Sequence, residues 1–149
     1  MKYRVGIVGF GWVAGAHLES FCRLDSYEPA AIMSRRDLDP KQIKESHGTD
    51  VKIYNDWEKF LGDGDIDVVD ICTPHFLHPQ QTIDASNAGK HIIIEKPIAL
   101  DFEDSKEMLE VVEKNGTKTS VCFEVRFISS VRAAKSMIDQ GLIGEDRKS

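Results

Sequence analysis

Gly9, Gly11 and Ala14 stand in G-x-G-x-x-A spacing directly behind the apolar run Val5-Gly6-Ile7-Val8. That pattern suits a strand that turns tightly into a helix while its backbone approaches a pyrophosphate, because a side chain at the second glycine would stand in the way. The helix beyond it offers unpaired N–H groups and the positive end of its dipole to an anion. A close strand-to-helix turn with no ligand would use the same glycines, so the rest of the chain has to decide.

Further stretches carry chemistry. About 20 residues past such a glycine loop, an NAD-specific site offers an acid to the ribose 2′-hydroxyl; this chain has Ser34-Arg35-Arg36 there. A hydroxyl and two guanidinium groups suit a 2′-phosphate, which favours NADP over NAD. The alternative leaves both arginines solvated and gives the ribose contact to Asp37. Cys72-Thr73-Pro74-His75-Phe76-Leu77-His78 follows a second apolar run, and Ile94-Glu95-Lys96-Pro97 a third. Ligands of open α/β sheets bind at such strand ends, where a lysine such as Lys96 works as a general acid or base when burial or neighbouring cations lower its pKa. Proline after it suits an unusual backbone, including a cis bond. Taken alone, Glu95 and Lys96 also read as an exposed pair, and His78 as a helix-entry residue.

Strand-like and helix-like segments alternate in a way that positions these residues. Strands are predicted at Tyr3–Val8, Glu28–Ser34, Ile53–Tyr54, Ile66–Cys72, Ile92–Ile94 and Lys118–Phe123. Helices are predicted at about Trp12–Leu24, Pro40–Ser46, from an Asn55 cap to Leu61, Pro79–Ala88, from an Asp101 cap through Met108, Leu109, Val111 and Val112, and Phe127–Gln140. The pattern predicts an α/β fold, a doubly wound, Rossmann-type parallel sheet with helices on both faces. No repeat or low-complexity run interrupts it.

Length and composition narrow the function classes. The 149 residues amount to about one domain, and a formal charge of -6 with scattered basic residues argues against a nucleic-acid surface. No stretch approaches the roughly 18 apolar residues of a membrane span, and the N-terminus runs into a strand without a signal-peptide pattern, so a cytoplasmic protein is expected. Cys22, Cys72 and Cys122 are odd in number, far apart and set among apolar residues. They read as buried reduced thiols, with neither a zinc site nor a disulfide framework.

In combination, Gly9-Phe10-Gly11-Trp12-Val13-Ala14, Thr73-Pro74-His75-Phe76-Leu77-His78, Ala88-Gly89-Lys90-His91, Glu95-Lys96-Pro97, Arg126-Phe127 and Gly141-Leu142-Ile143-Gly144 resemble the glucose-fructose oxidoreductase, inositol dehydrogenase and rhizopine-catabolism family (Gfo/Idh/MocA). The resemblance implies a pyrophosphate held by Gly9, Gly11, Trp12 and Val13, an adenosine ribose or its phosphate at Ser34 and Arg35, and the cofactor's middle at Thr73, Pro74 and His78. It places Glu95 by the nicotinamide ribose, Lys96 at the reacting carbon as proton donor or acceptor, and Arg126 near the nicotinamide end. Phe10, Arg36, His75 and Pro97 adjoin them in the cofactor site.

Members of that family normally carry a second domain that supplies the substrate pocket. Residues 1–125 are therefore expected to form the dinucleotide-binding domain, and residues 126–149 a helix and the start of a substrate domain that Glu145-Asp146-Arg147-Lys148-Ser149 would only begin. The implied function is hydride transfer between NADP, or NAD, and a sugar, polyol or related small molecule, homo-oligomeric in the full-length form. The chain alone is expected to bind dinucleotide and turn over poorly. A non-catalytic nucleotide-sensing module and a doubly wound domain for another ligand are the competing readings. Val131, Ala134 and Ile138 form a helical stripe that either packs on the sheet or stays bare and promotes self-association.

Overall fold

The computed structural model describes residues 2–142 and 144. Strand β1 (Tyr3–Val8) leads into α1 (Trp12–Arg23), β2 (Tyr27–Met33) into α2 (Pro40–His47), and β3 (Lys52–Tyr54) into α3 (Trp57–Leu61). A 3-10 turn, His75–Leu77, and α4 (His78–Asn87) follow β4 (Val68–Ile71); α5 (Phe102–Asn115) follows β5 (His91–Glu95). After β6 (Thr119–Cys122) come a 3-10 turn, Glu124–Phe127, and α6 (Ser129–Asp139). All strand pairs are parallel, in one six-stranded sheet ordered β3-β2-β1-β4-β5-β6. The chain winds outward from β1 to β3 and then returns to build the other half, so the strand order reverses between β1 and β4.

Both faces of the sheet are covered. Val5, Ile7 and Ile32 pack with Ala14, Leu18 and Phe21 of α1 and Ile43 of α2. Val8, Val69, Ile71, Ile92 and Ile94 pack on the other side with Phe60 of α3, Ala85 of α4 and Met108 of α5. Gly6 makes the second contact close: a Cβ there would lie 2.6 Å from Phe60 Cζ. Pro29 is tolerated in β2 because the β3 pairing begins only at Ala31, where no N–H of Pro29 is needed. Asp39 and Asp101 cap α2 and α5 by accepting N–H bonds from Lys41 and Asp104.

Some details depart from the sequence reading. The cap of α3 is Asp56, whose carboxylate accepts from Lys59 N–H at 3.0 Å, and not Asn55; the acid is the stronger acceptor and the shift leaves Asn55 exposed. Leu109 faces solvent, because only Met108 and Val112 of α5 turn toward the core. Cys22 is exposed on α1, while Cys72 and Cys122 are half-buried; all are free thiols. Phe127 closes the 3-10 turn, and Ile128, in extended backbone, caps α6. Every residue of α6 is exposed, so the Val131–Ile138 stripe does not pack on the sheet. Ile143 of the Gly141–Gly144 motif and the stretch 145–149 lie outside the described residues. No described helix is long and apolar enough to cross a membrane.

Candidate functional site

The β1–α1 loop is shaped by its glycines. Gly9 sits at φ +80, and a Cβ on it would meet Thr73 Cγ2 at 2.9 Å and the Cys72 carbonyl oxygen at 3.0 Å. Its N–H donates to the Met33 carbonyl at 2.9 Å. Gly11 is the N-cap of α1, where no side chain caps the helix and no acid occupies the first turn. A Cβ on Gly11 would meet nothing within 4 Å. This open, uncapped backbone end fits a pyrophosphate.

A groove of about 580 Å³ runs from that loop across the sheet's switch point. Of the residues singled out in the sequence, Gly9, Phe10, Ser34, Arg35, Arg36, Thr73 and Pro74 line it. Ser34 is buried, and its Oγ accepts from the Arg36 N–H at 3.0 Å. The Arg36 guanidinium donates to the Phe10 carbonyl, which ties the end of β2 to the glycine loop. Arg35 is exposed on the rim. Thr73 Oγ1 donates to Gln81 Oε1 at 2.5 Å. Trp12, 88% exposed, and half-buried Val13 open α1 beside the loop, while His75 points to solvent outside the lining.

His78 corrects the sequence reading. Its ring is fully buried, with Nδ1 at 2.9 Å from the Pro97 carbonyl oxygen and Nε2 at 3.0 Å from that of Thr73. It clamps the loops after β4 and β5 beneath the groove and offers no surface to a ligand. Glu95, the last residue of β5, and Lys96, Pro97 and Arg126, past the ends of β5 and β6, stand beyond the groove lining. Lys96 is exposed, the Lys96–Pro97 peptide is cis, and the Arg126 guanidinium lies 5.4 Å from the centre of the Phe123 ring.

Apart from Phe76 and Leu77 of the Thr73–His78 motif, the remaining lining residues are not singled out as ligand contacts in the sequence. Asn55, Trp57, Phe76, Gln80 and Asp84 complete the groove wall, with Trp57 Nε1 donating to Asp84 Oδ2 at 2.9 Å. The sequence offers Asn55 only as a cap, and its place in the groove wall shows once Asp56 takes that role.

The fold also gathers a cluster from four elements. His17 of α1 places Nδ1 at 2.9 and 3.2 Å from the two oxygens of Asp70, and Nε2 at 3.2 Å from Glu95 Oε1. Cys72 Sγ lies 3.5 Å from both His17 Nδ1 and Asp70 Oδ2. The hydrogen bond to Asp70 raises the His17 pKa against the opposing effect of burial, and the charges of Asp70 and Glu95 add to the rise. Burial, with Asp70 beside it, pushes the Cys72 thiol far up, and burial with Asp70 and Glu95 pushes Cys122 up to about 12. Both thiols are therefore protonated and poor nucleophiles. The cysteines that looked unrelated in sequence thus share one neighbourhood, where His17, Asp70 and Cys72, or His17, Glu95 and Cys122, bring ligand-type atoms within 4.8 Å.

A smaller cavity of about 290 Å³, lined by Tyr3, Tyr27, His91 and Lys118, lies at the opposite end of the sheet, where the strands begin. Ligands of doubly wound sheets bind outside the carboxyl ends, which selects the groove. Strand order, glycine loop and groove define a nicotinamide-dinucleotide-binding Rossmann domain.

The chain belongs to the Gfo/Idh/MocA oxidoreductases: residues 3–123 match the family described as "Oxidoreductase family, NAD-binding Rossmann fold". It is 34% identical over 94% of its length to levoglucosan dehydrogenase of Pseudarthrobacter phenanthrenivorans, covering 38% of that protein. It superposes with a TM-score of 0.87 and 32% identity on scyllo-inositol dehydrogenase from Lactobacillus casei, solved with bound NAD(H) and scyllo-inositol, over 97% of this chain and 43% of that one. The WlbA dehydrogenase from Bordetella pertussis, in complex with NADH and UDP-GlcNAcA, gives a TM-score of 0.89 at 27% identity, over 97% of this chain and 45% of that one. The chain spans 38 to 44% of the length of curated relatives it matches.

Proposed function

We propose that the chain is the cofactor-binding part of an NAD(P)-dependent oxidoreductase that passes a hydride between a nicotinamide cofactor and a sugar, polyol or related hydroxyl or carbonyl compound. The carrying observation is one continuous groove from the open glycine loop to Ser34–Arg36 and Thr73–Leu77. The similar dehydrogenases that act on inositol and levoglucosan support the substrate class.

When bound, the cofactor donates or accepts the hydride at its nicotinamide ring. The chain's residues supply the cofactor's surroundings. Phe10, Gly11, Trp12 and Val13 present backbone N–H groups to the pyrophosphate, and Gly9, whose own N–H goes to the Met33 carbonyl, makes the tight turn that brings them there. Ser34 and Arg36 brace the β2 end, and Arg35 meets the adenosine ribose or its 2′-phosphate, which favours NADP. Thr73 and Pro74 flank the middle, Glu95 and Arg126 take the nicotinamide-ribose end, and Lys96 Nζ takes up or returns the proton of the substrate oxygen.

Residues 1–125 are assigned to the dinucleotide domain, and the segment from 126 onward to the approach to a substrate domain. The bare apolar face of α6 suits an oligomeric longer form, and the free cysteines suit a cytoplasmic setting. Substrate positioning contributes roughly 7 to 11 kcal/mol to catalysis, so the 149 residues by themselves bind dinucleotide and turn over poorly.

Titration of the chain with NADPH and NADH, followed by nicotinamide fluorescence, tests the reading. Saturable binding, tighter for NADPH, is the expected result. Tighter NADH binding overturns the role of Arg35; binding of ATP in preference to either dinucleotide overturns the function; rapid oxidation of a polyol by these 149 residues overturns their inactivity.

A further inference from the structure

The His17 cluster is the part of the strand-end chemistry that cofactor binding leaves unexplained. Asp70 has no exposed surface and lies in β4 between β1 and β5. A carboxylate in that position requires a charged or hydrogen-bonding partner. The groups facing His17 are Asp70 from β4, Cys72 just after it, Glu95 from β5 and Cys122 from β6, with Phe21 edge-on from α1 itself; none of them carries positive charge.

We propose that His17 is a positioning residue: its imidazole bridges buried Asp70 to Glu95 and holds the Glu95 carboxylate in one direction at the nicotinamide end of the site, beyond the groove lining. The inference rests on the reading that Glu95 serves that end. Two contacts pin Glu95, one oxygen at 3.2 Å from His17 Nε2 and the other accepting the Lys96 N–H at 3.1 Å. Without the imidazole one of these is gone, and Asp70 and Glu95 repel each other across the space it occupied. The bridge also ties α1, whose first turn receives the pyrophosphate, to the strand ends that frame the nicotinamide, so one side chain sets the relation between the two halves of the site.

The bridge is a charged one, since both ring nitrogens face carboxylates. It holds at acidic and neutral pH and weakens as pH rises through the raised folded-state value of His17. Affinity for the intact dinucleotide follows the same course, whereas affinity for its adenosine half does not.

Two substitutions separate the halves of the bridge. His17→Gln keeps an amide nitrogen near the position of Nε2, facing Glu95; His17→Asn keeps one near Nδ1, facing Asp70. Calorimetric titration compares NADPH with 2′-phospho-ADP-ribose, which lacks nicotinamide. His17→Asn is expected to weaken NADPH about tenfold and the fragment less than about twofold, with His17→Gln recovering most of the loss and both variants flattening the pH dependence of NADPH binding. Equal losses for both ligands, or no loss for either, overturn the proposal. If the wild-type chain binds neither ligand, the dinucleotide reading fails, and the inference with it. If His17→Asn does not fold, the His17 ring titration is followed by NMR in the wild type and in Glu95→Gln; a downward shift in the variant supports the bridge, and an unchanged titration overturns it.

Discussion

Along the groove, at the ends of β1 and β2, the site is made of backbone, and beyond the groove lining, at the ends of β4, β5 and β6, it is made of side chains. Gly9 at φ +80, the uncapped start of α1 and the Arg36 contact to the Phe10 carbonyl build the first from peptide groups. His17, Asp70, Cys72, Glu95 and Cys122 build the second from four elements. Its geometry depends on register: Ile71 pairs with Ile94 and Glu95 with Cys122, which brings the strand ends level under α1. A backbone site is damaged by adding atoms, whereas a side-chain site is damaged by removing them.

Gly9→Val tests the first half of that contrast with the largest effect. The φ of +80 is strained for any residue with a Cβ, and the added atoms collide with Thr73 and the Cys72 carbonyl. Destabilisation of roughly 2 to 4 kcal/mol in denaturant unfolding is expected, with loss of dinucleotide binding. Near wild-type stability would show that the loop is looser than a backbone site requires. Asp70→Asn tests the other half and is next in size, at about 1 to 3 kcal/mol, because the charged partner of a buried hydrogen bond is lost. The raised His17 pKa stabilises the fold fully below its unfolded value and loses that contribution as pH rises through the folded one. The stability gap between wild type and Asp70→Asn is therefore widest below the ordinary histidine pKa and narrows as pH rises through the raised folded-state value. A gap that widens with pH would remove His17 as the charged member.

The same contrast explains what was legible in the sequence. Gly9, Gly11, Ser34-Arg35-Arg36 and the alternating segments are local signals, and their folded positions follow from spacing of a few residues. The sheet order follows too, because short crossovers leave a parallel, doubly wound arrangement as the natural solution. Nothing local links His17 to Asp70, 53 residues away, or Asn55 and Trp57 to Thr73; their proximity exists only once α1, β4 and β5 are packed. His78 misled for a related reason. Its motif position suggests a ligand, yet both ring nitrogens face the carbonyls of Thr73 and Pro97 in a fully buried setting. The α6 stripe has helical spacing but no described element to bury it, and periodicity alone does not name a partner.

Arg35→Ala gives a smaller, more selective change. Arg35 braces nothing in the fold, so stability stays within about 0.5 kcal/mol, while NADP affinity drops about tenfold and NAD affinity changes less than about twofold. Equal losses for both cofactors would place Arg35 on a group they share and dissolve the NADP preference.

Lys96→Met has the smallest effect on binding and sharpens the comparison most at the β5 end. Lys96 contributes there in two ways: its peptide N–H pins Glu95, and its side chain, exposed, carries the ammonium. Methionine keeps the peptide N–H, so the carboxylate stays in place. Unfolding free energy is expected to change by less than about 0.5 kcal/mol and dinucleotide affinity by less than about twofold. Glu95→Gln, by contrast, keeps the shape and removes the charge that His17 faces, so it lowers the pKa of that ring. A Lys96→Met variant that lost stability, or released the nicotinamide end as His17→Asn does, would make the lysine part of the frame. A silent one leaves its ammonium available for proton transfer alone.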